Sequence, residues 1–83
     1  MTHSLPVTQK AVMVSADKRE TLERFRDLYH QRMSAELIRV GVVASTIRIT
    51  EPEWREAVYE DGLLIRRTGW FVYGYGDAIG EVL

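Results

Sequence analysis

The chain has 83 residues, 46% of them hydrophobic and 28% charged, with a formal net charge of −1 and no cysteine. This length fits one domain, which buries only about 60% of the surface of its unfolded chain. The charge gives no overall attraction to nucleic acid or anionic lipid, and the lack of cysteine excludes disulfides and thiolate metal sites. No apolar run has the length of a membrane span. We therefore expect a cytoplasmic protein that has no membrane segment.

The N-terminal region predicts a tail followed by a strand. Residues 1–8 have the composition of a flexible tail, and residues 9–83 are expected to form a single domain. Within residues 10–15, Val12 and Val14 stand two apart, which is typical of a short strand.

A long amphipathic helix is predicted next. Asp17 can cap its first turn, and Glu20 three residues later can complete a capping box. Four residues form its apolar stripe: Leu22, Phe25, Tyr29 and Met33. The pattern leaves two possibilities for its end. The helix runs on to Val40 and stops at Gly41, or it breaks at Ser34 and restarts as a short second helix through Leu37.

The middle of the chain predicts a strand and then a second helix. Residues 42–50 are expected to be a strand, because apolar Ile47 and Ile49 alternate with polar residues from Thr46 to Thr50. Threonine, proline and glutamate at the start of residues 50–61 favour a helix that ends at Gly62. The alternative keeps residues 55–59 extended and uses Asp61 and Gly62 as a hairpin turn. We prefer the helix.

The C-terminal third, residues 63–75, predicts a β-hairpin that is apolar on both faces. A loop at residues 67–69 sets its register. One face then carries Leu63, Ile65, Phe71, Tyr73 and Tyr75, and we expect this aromatic face to pack on the long helix. The other face carries Leu64, Arg66, Trp70 and Val72, with Arg66 over the Trp70 ring. A last short turn is expected after Asp77.

These elements predict a small α+β domain of order β-α-β-α-β-β, with the C-terminal hairpin packed on the long helix. Catalysis is not expected, because His3 and His30 lie far apart and the carboxylates of residues 51–61 belong to a solvated face. No histidine or carboxylate cluster has the spacing of metal ligands, so neither a metal nor another cofactor is predicted.

The segment 41–48, with residues 60–73 after it, resembles the turn, second helix and wing of winged-helix DNA-binding domains. This resemblance covers about half of the chain and implies the alternative fold, a winged helix, and the alternative function, a regulator that binds duplex DNA. Ser45, Thr46 and Arg48 would then lie near the bases, and Arg66 and Arg67 at the wing tip. Five acidic residues against one base in residues 51–61 would repel phosphate, so nucleic acid is the less favoured partner.

Protein binding is the favoured function. Tryptophan and arginine dominate binding hot spots, and the second hairpin face combines them in a predicted partner-binding set: Leu64, Arg66, Arg67, Trp70 and Val72. The residues leave open whether this face is core, a partner interface or a homodimer contact. We expect a non-catalytic inhibitor or regulator that docks on a larger protein. A protein of phage or mobile-element type is one option.

Overall fold

One long strand, β6 (Gly69–Ile79), organises the sheet in this computed structural model, which describes residues 7–79. β1 (Val7–Ala16) pairs antiparallel with β6 over ten residue pairs. Two short strands, β2 (Arg48–Ile49) and β3 (Glu53–Arg55), follow each other along the opposite edge of β6, also antiparallel. The predicted small α+β domain is therefore confirmed as a class.

Two helices replace the single predicted one. α1 (Arg19–Arg24) and α2 (Arg26–Arg39) are separated at Phe25, not at Ser34. This break rotates Phe25 out of the apolar stripe, and its side chain is exposed. The predicted capping box is also wrong, because Lys18 is the N-cap residue of α1 and no side chain bonds to that cap.

The end of α2 is the one predicted from Gly41. Its φ of +96° is a left-handed conformation that glycine adopts at little cost. The Gly41 N–H donates to the Ile38 carbonyl at 3.0 Å, and the Val42 N–H donates to the Leu37 carbonyl at 2.9 Å. This pair of bonds is a Schellman motif, which satisfies the last carbonyls and turns the chain back toward the sheet.

The helices cover the face of β6 that carries its even-numbered residues, here called the helix face. Val72 packs there with Leu22, Tyr29 and Met33, and Ala78 packs with Leu37 and Val42 in a second cluster. The odd-numbered residues Phe71, Tyr73 and Tyr75 point to the opposite, outer face. The expectation that the aromatic face packs on the long helix is therefore wrong.

Two glycines of β6 explain why the helices pack on the helix face. A Cβ on Gly74 would lie 2.9 Å from the Met33 Cε, and one on Gly76 would lie 2.5 Å from the Val42 Cγ1. Both distances are shorter than carbon atoms tolerate, so α2 and the segment after it can approach only a face that lacks side chains at these positions. The aromatic rings of the other face would hold the helix away.

The segment between α2 and β2 does not form the predicted long strand. Val42 makes one bridge to Ala78, Ala44–Thr46 form a 3₁₀ turn, and β2 contains only two residues. No α-helix follows α2 within residues 40–79. The winged-helix alternative is therefore wrong, because the segment that would be its recognition helix is a single turn.

The chain forms a different hairpin from the one predicted. β4 (Val58–Glu60) and β5 (Leu63–Arg66) pair with each other as a separate two-stranded sheet. The turn between them has φ of 51° at Asp61 and 77° at Gly62, as a type I′ turn requires. The alternative interpretation of residues 52–61 was thus the better one, and the preferred helix is wrong.

Because β5 is paired with β4, it does not oppose β6, and the predicted hairpin of residues 63–75 does not form. β6 also continues through Asp77 to Ile79 where a turn was expected. Residues 1–6 of the predicted tail lie outside the described residues, as do residues 80–83, whereas Val7 and Thr8 belong to β1.

The close approach at the glycines predicts a difference between two matched substitutions. Gly76→Ala should lower the free energy of unfolding by about 1–3 kcal/mol, because Val42 is branched and packed in the core. Gly74→Ala should cost less, because the atom it meets is the end of a flexible methionine. Urea unfolding of both variants measures the difference. Equal losses would contradict the packing described here.

Candidate interaction surface

Two of the five predicted partner-binding residues, Trp70 and Val72, lie on the helix face of the sheet. Val72 is 0% exposed and belongs to the cluster beneath Leu22 and Met33. Trp70 is half-buried, and its ring meets the Trp54 ring edge-on with 5.6 Å between their centroids. The structure therefore uses these side chains for packing and does not bring them together with Leu64.

The predicted stacking of Arg66 on Trp70 is wrong as well. The cation near Trp70 is Arg19, whose guanidinium carbon lies 5.6 Å from the ring centroid. Arg66 instead lies 5.9 Å from the centroid of Phe71, on the outer face, and its Nη2 donates a hydrogen bond to the Glu56 carbonyl at 3.1 Å. Arg66 thus joins the base of the β4–β5 hairpin to the sheet and shields Phe71 from water.

Arg67 lies on another part of the surface. Its side chain is exposed and lines a cavity of about 230 Å³ together with Ser15, Asp17 and Thr68. This cavity is at the end of β1, where the chain enters β6. Arg67 is therefore separate from the apolar residues of the hairpin.

The largest apolar exposure lies on the β4–β5 hairpin. Leu63 is 69% exposed, Tyr59 66% and Ile65 60%. Leu64, the one predicted binding residue on these strands that is apolar, is 49% exposed, and Val58 is also exposed. We call these five residues the hairpin surface. They present apolar side chains on both faces of a hairpin whose two strands are paired only with each other within residues 7–79.

The tip of the hairpin is negatively charged, whereas Arg66 lies at its base. Glu60 and Asp61 occupy its tip and Glu56 precedes β4, whereas residues 56–65 include no lysine or arginine. All three acidic side chains are exposed. A ligand of this surface therefore needs an apolar centre and benefits from basic groups around it.

The residues proposed for DNA binding are engaged in local structure. The Thr46 Oγ1 donates to the Val43 carbonyl at 2.7 Å and accepts a bond from the Asp77 N–H at 2.9 Å. The Arg48 Nη1 donates to the Ile47 carbonyl at 2.9 Å. Ser45 is exposed, but it lies in the 3₁₀ turn. These three residues do not form one surface with Arg66 and Arg67.

A second concave region lies between α2 and β2. It is lined by His30, Ser34, Ile38, Ala44, Ile47, Arg48 and Ile49. His30 is half-buried there. Within residues 7–79, no group of three or more histidine and carboxylate side chains is arranged to hold a metal ion.

None of the described helices is long and apolar enough to cross a membrane. No family model, no curated protein and no solved structure matches this chain. The hairpin surface was missed by the sequence analysis because residues 52–61 were assigned to a helix. The signal for it was the Asp61-Gly62 pair between two apolar runs.

Because Trp70 packs on the helix face, its substitution should affect the stability of the fold. Trp70→Ala should lower the free energy of unfolding by about 3 kcal/mol, because it removes the contacts with Trp54 and the core cluster. Thermal and urea unfolding measure this loss. A variant that unfolds like the parent chain would show that Trp70 contributes little to packing.

Proposed function

We propose that the chain is a non-catalytic protein-interaction module of the cytoplasm that acts as an inhibitor or regulator by docking on a larger protein. The observation that carries this proposal is the hairpin surface, where Tyr59, Leu63 and Ile65 are each at least 60% exposed. Burying one such side chain completely is worth about 1.5–3 kcal/mol. Exposed apolar groups that lie together mark interaction sites more often than scattered ones do.

The hairpin is built to bind without rearrangement. Its tip is a type I′ turn with the two residues that this turn favours, Asp61 and Gly62. Its base is held by two hydrogen bonds, from the Ala57 N–H to the Thr68 Oγ1 at 2.8 Å and from Arg66 to Glu56. A segment that is already ordered loses little conformational entropy when it binds, so more of the burial energy appears as affinity.

The chemistry of the hairpin defines the partner. An apolar hairpin with Glu60 and Asp61 at its tip fits an apolar cleft with lysine or arginine at its far end. The same acidic tip disfavours phosphate, so nucleic acid is a poor ligand for this surface. The partner we propose is therefore a protein whose cleft is apolar and basic.

A matched pair of substitutions tests the proposal. Ile65 on the hairpin and Ile38 on α2 are similarly exposed, at 60% and 52%. Ile65→Ser should weaken partner binding roughly 10- to 100-fold, the range expected when one large apolar contact is lost. Ile38→Ser should leave binding unchanged. Both variants should unfold at nearly the parent temperature, because neither side chain is buried.

The assay is capture from cell lysate on immobilised protein, with and without nuclease, followed by mass spectrometry and titration of the captured protein. We expect one protein that survives nuclease, binds Ile38→Ser and is lost with Ile65→Ser. Capture that disappears after nuclease treatment would replace the proposal with nucleic-acid binding. Equal binding by the two variants would exclude the hairpin as the docking surface.

A further inference from the structure

A second feature, independent of the hairpin, is the free edge of β1. Within residues 7–79, β1 pairs only with β6, so its other edge is unpaired over the length of the strand. Edge strands are normally protected by charges, prolines or bulges. β1 has no proline, a single charged residue, Lys10, and a regular register with β6 throughout.

The direction of the free backbone groups follows from the other edge of β6. The Thr50 N–H donates to the Tyr73 carbonyl at 2.8 Å, and the Val43 N–H donates to the Asp77 carbonyl at 2.9 Å. The backbone N–H and C=O groups of the odd-numbered residues of β6 therefore point toward β2, and those of the even-numbered residues point toward β1. Since β6 pairs even residues with even residues of β1, the odd-numbered residues of β1 direct their N–H and C=O groups to the free edge.

We propose that this edge pairs with the same edge of a second copy, forming a twofold dimer with one continuous antiparallel sheet. Over residues 9–15 the odd-numbered side chains are Gln9, Ala11, Met13 and Ser15, a polar-apolar-apolar-polar pattern that is symmetric about Val12. A twofold axis at Val12 places Ala11 opposite Met13 and Gln9 opposite Ser15. About eight hydrogen bonds would form across this seam, two for each hydrogen-bonded pair.

The single charge on the strand does not oppose this register. With the axis at Val12, Lys10 lies opposite Val14 of the second copy. The two lysines are then four residues apart along the strands, which is about 14 Å. Met13, which is 52% exposed in the single chain, becomes covered by Ala11 of the second copy.

The helices fit the same arrangement. α2 lies over β1 and β6, since Met33 and Leu37 both belong to clusters that include Val12. A helix centred between these two strands would lie about 10 Å from its symmetry mate across the new seam, the usual spacing of packed helices. The two copies of α2 would run antiparallel, and the level of Val12 falls between Met33 and Leu37.

Charge complementarity favours a second copy over a foreign strand. His30, Ser34 and Ile38 line the cleft toward β2, so helical spacing puts Arg32 and Glu36 on the opposite flank, above the free edge. The same twofold axis places Arg32 of each copy opposite Glu36 of the other, which gives two such pairs. Arg39 donates a 2.9 Å hydrogen bond to Glu36, which lowers the pKa of a carboxyl that is in any case ionised at neutral pH.

Sedimentation and native mass spectrometry test the dimer. The wild-type chain should have twice the monomer mass of 9.6 kDa. The double variant Ala11→Lys with Met13→Lys places lysines opposite each other and should raise the dissociation constant about 100-fold or more. The control is Ile38, which is as exposed as Met13 but lies on the flank of α2 that faces away from the seam. The Ile38→Lys variant should remain dimeric.

A charge-swapped partner separates loss of pairing from loss of folding. Ala11→Glu with Met13→Glu should also be monomeric alone, but mixing it with the lysine variant should form a heterodimer. The Ile65→Ser variant should dimerise normally, so failure of the hairpin proposal would leave this one standing. A wild-type chain that stays monomeric up to about 1 mM would overturn the dimer. A dimer that persists in the lysine variant would overturn the β1 edge as its seam.

Discussion

The approach of the α2 region to Gly74 and Gly76 of β6 is the constraint on which the rest of the structure depends. β6 is apolar on both faces, so the hydrophobic effect alone does not decide which face receives the helices. The missing side chains at these two positions let Met33 and Val42 reach the backbone. Once the helices occupy that face, Trp70 and Val72 become packing residues, and the aromatic rings of Phe71, Tyr73 and Tyr75 are left on the other side.

The position of the helices also determines which apolar side chains stay exposed and can bind a partner. Within residues 7–79 there are two α-helices, and both lie on one face of the sheet. Arg66 closes over Phe71 at the base of the β4–β5 hairpin. Farther out, Tyr59, Leu63 and Ile65 are each at least 60% exposed. The proposed docking surface and the proposed dimer seam are separate features. The first consists of exposed side chains on the β4–β5 hairpin, and the second of backbone groups on the edge of β1 that are unpaired within residues 7–79.

The sequence predicted the elements with strong local signals and failed where tertiary contacts decide. The stripe of Leu22, Tyr29 and Met33 indicated a helical region, and Gly41 was one of the two ends that the pattern left open. The break at Phe25 was not predicted. The prediction for the faces of β6 is wrong because aromatic bulk does not decide which face the helices cover, whereas the spacing of Gly74 and Gly76 does. The helix predicted for residues 52–61 depended on Thr50 and Pro52 as start signals, but Pro52 is buried between β2 and β3. Of the predicted site, only Leu64 lies on the surface now proposed, because the hairpin register that joined it to Trp70 does not occur.

Nuclear Overhauser effects from the Met33 methyl group test the central claim most directly. The methyl should show strong contacts to the Gly74 α-protons, since its Cε lies 2.9 Å from where a Cβ would be, and to the Val72 methyl groups. It should show none to the rings of Tyr73 and Tyr75. Strong contacts between the Met33 methyl and either tyrosine ring, with none to Gly74, would contradict the account, because they would place the helices on the aromatic face.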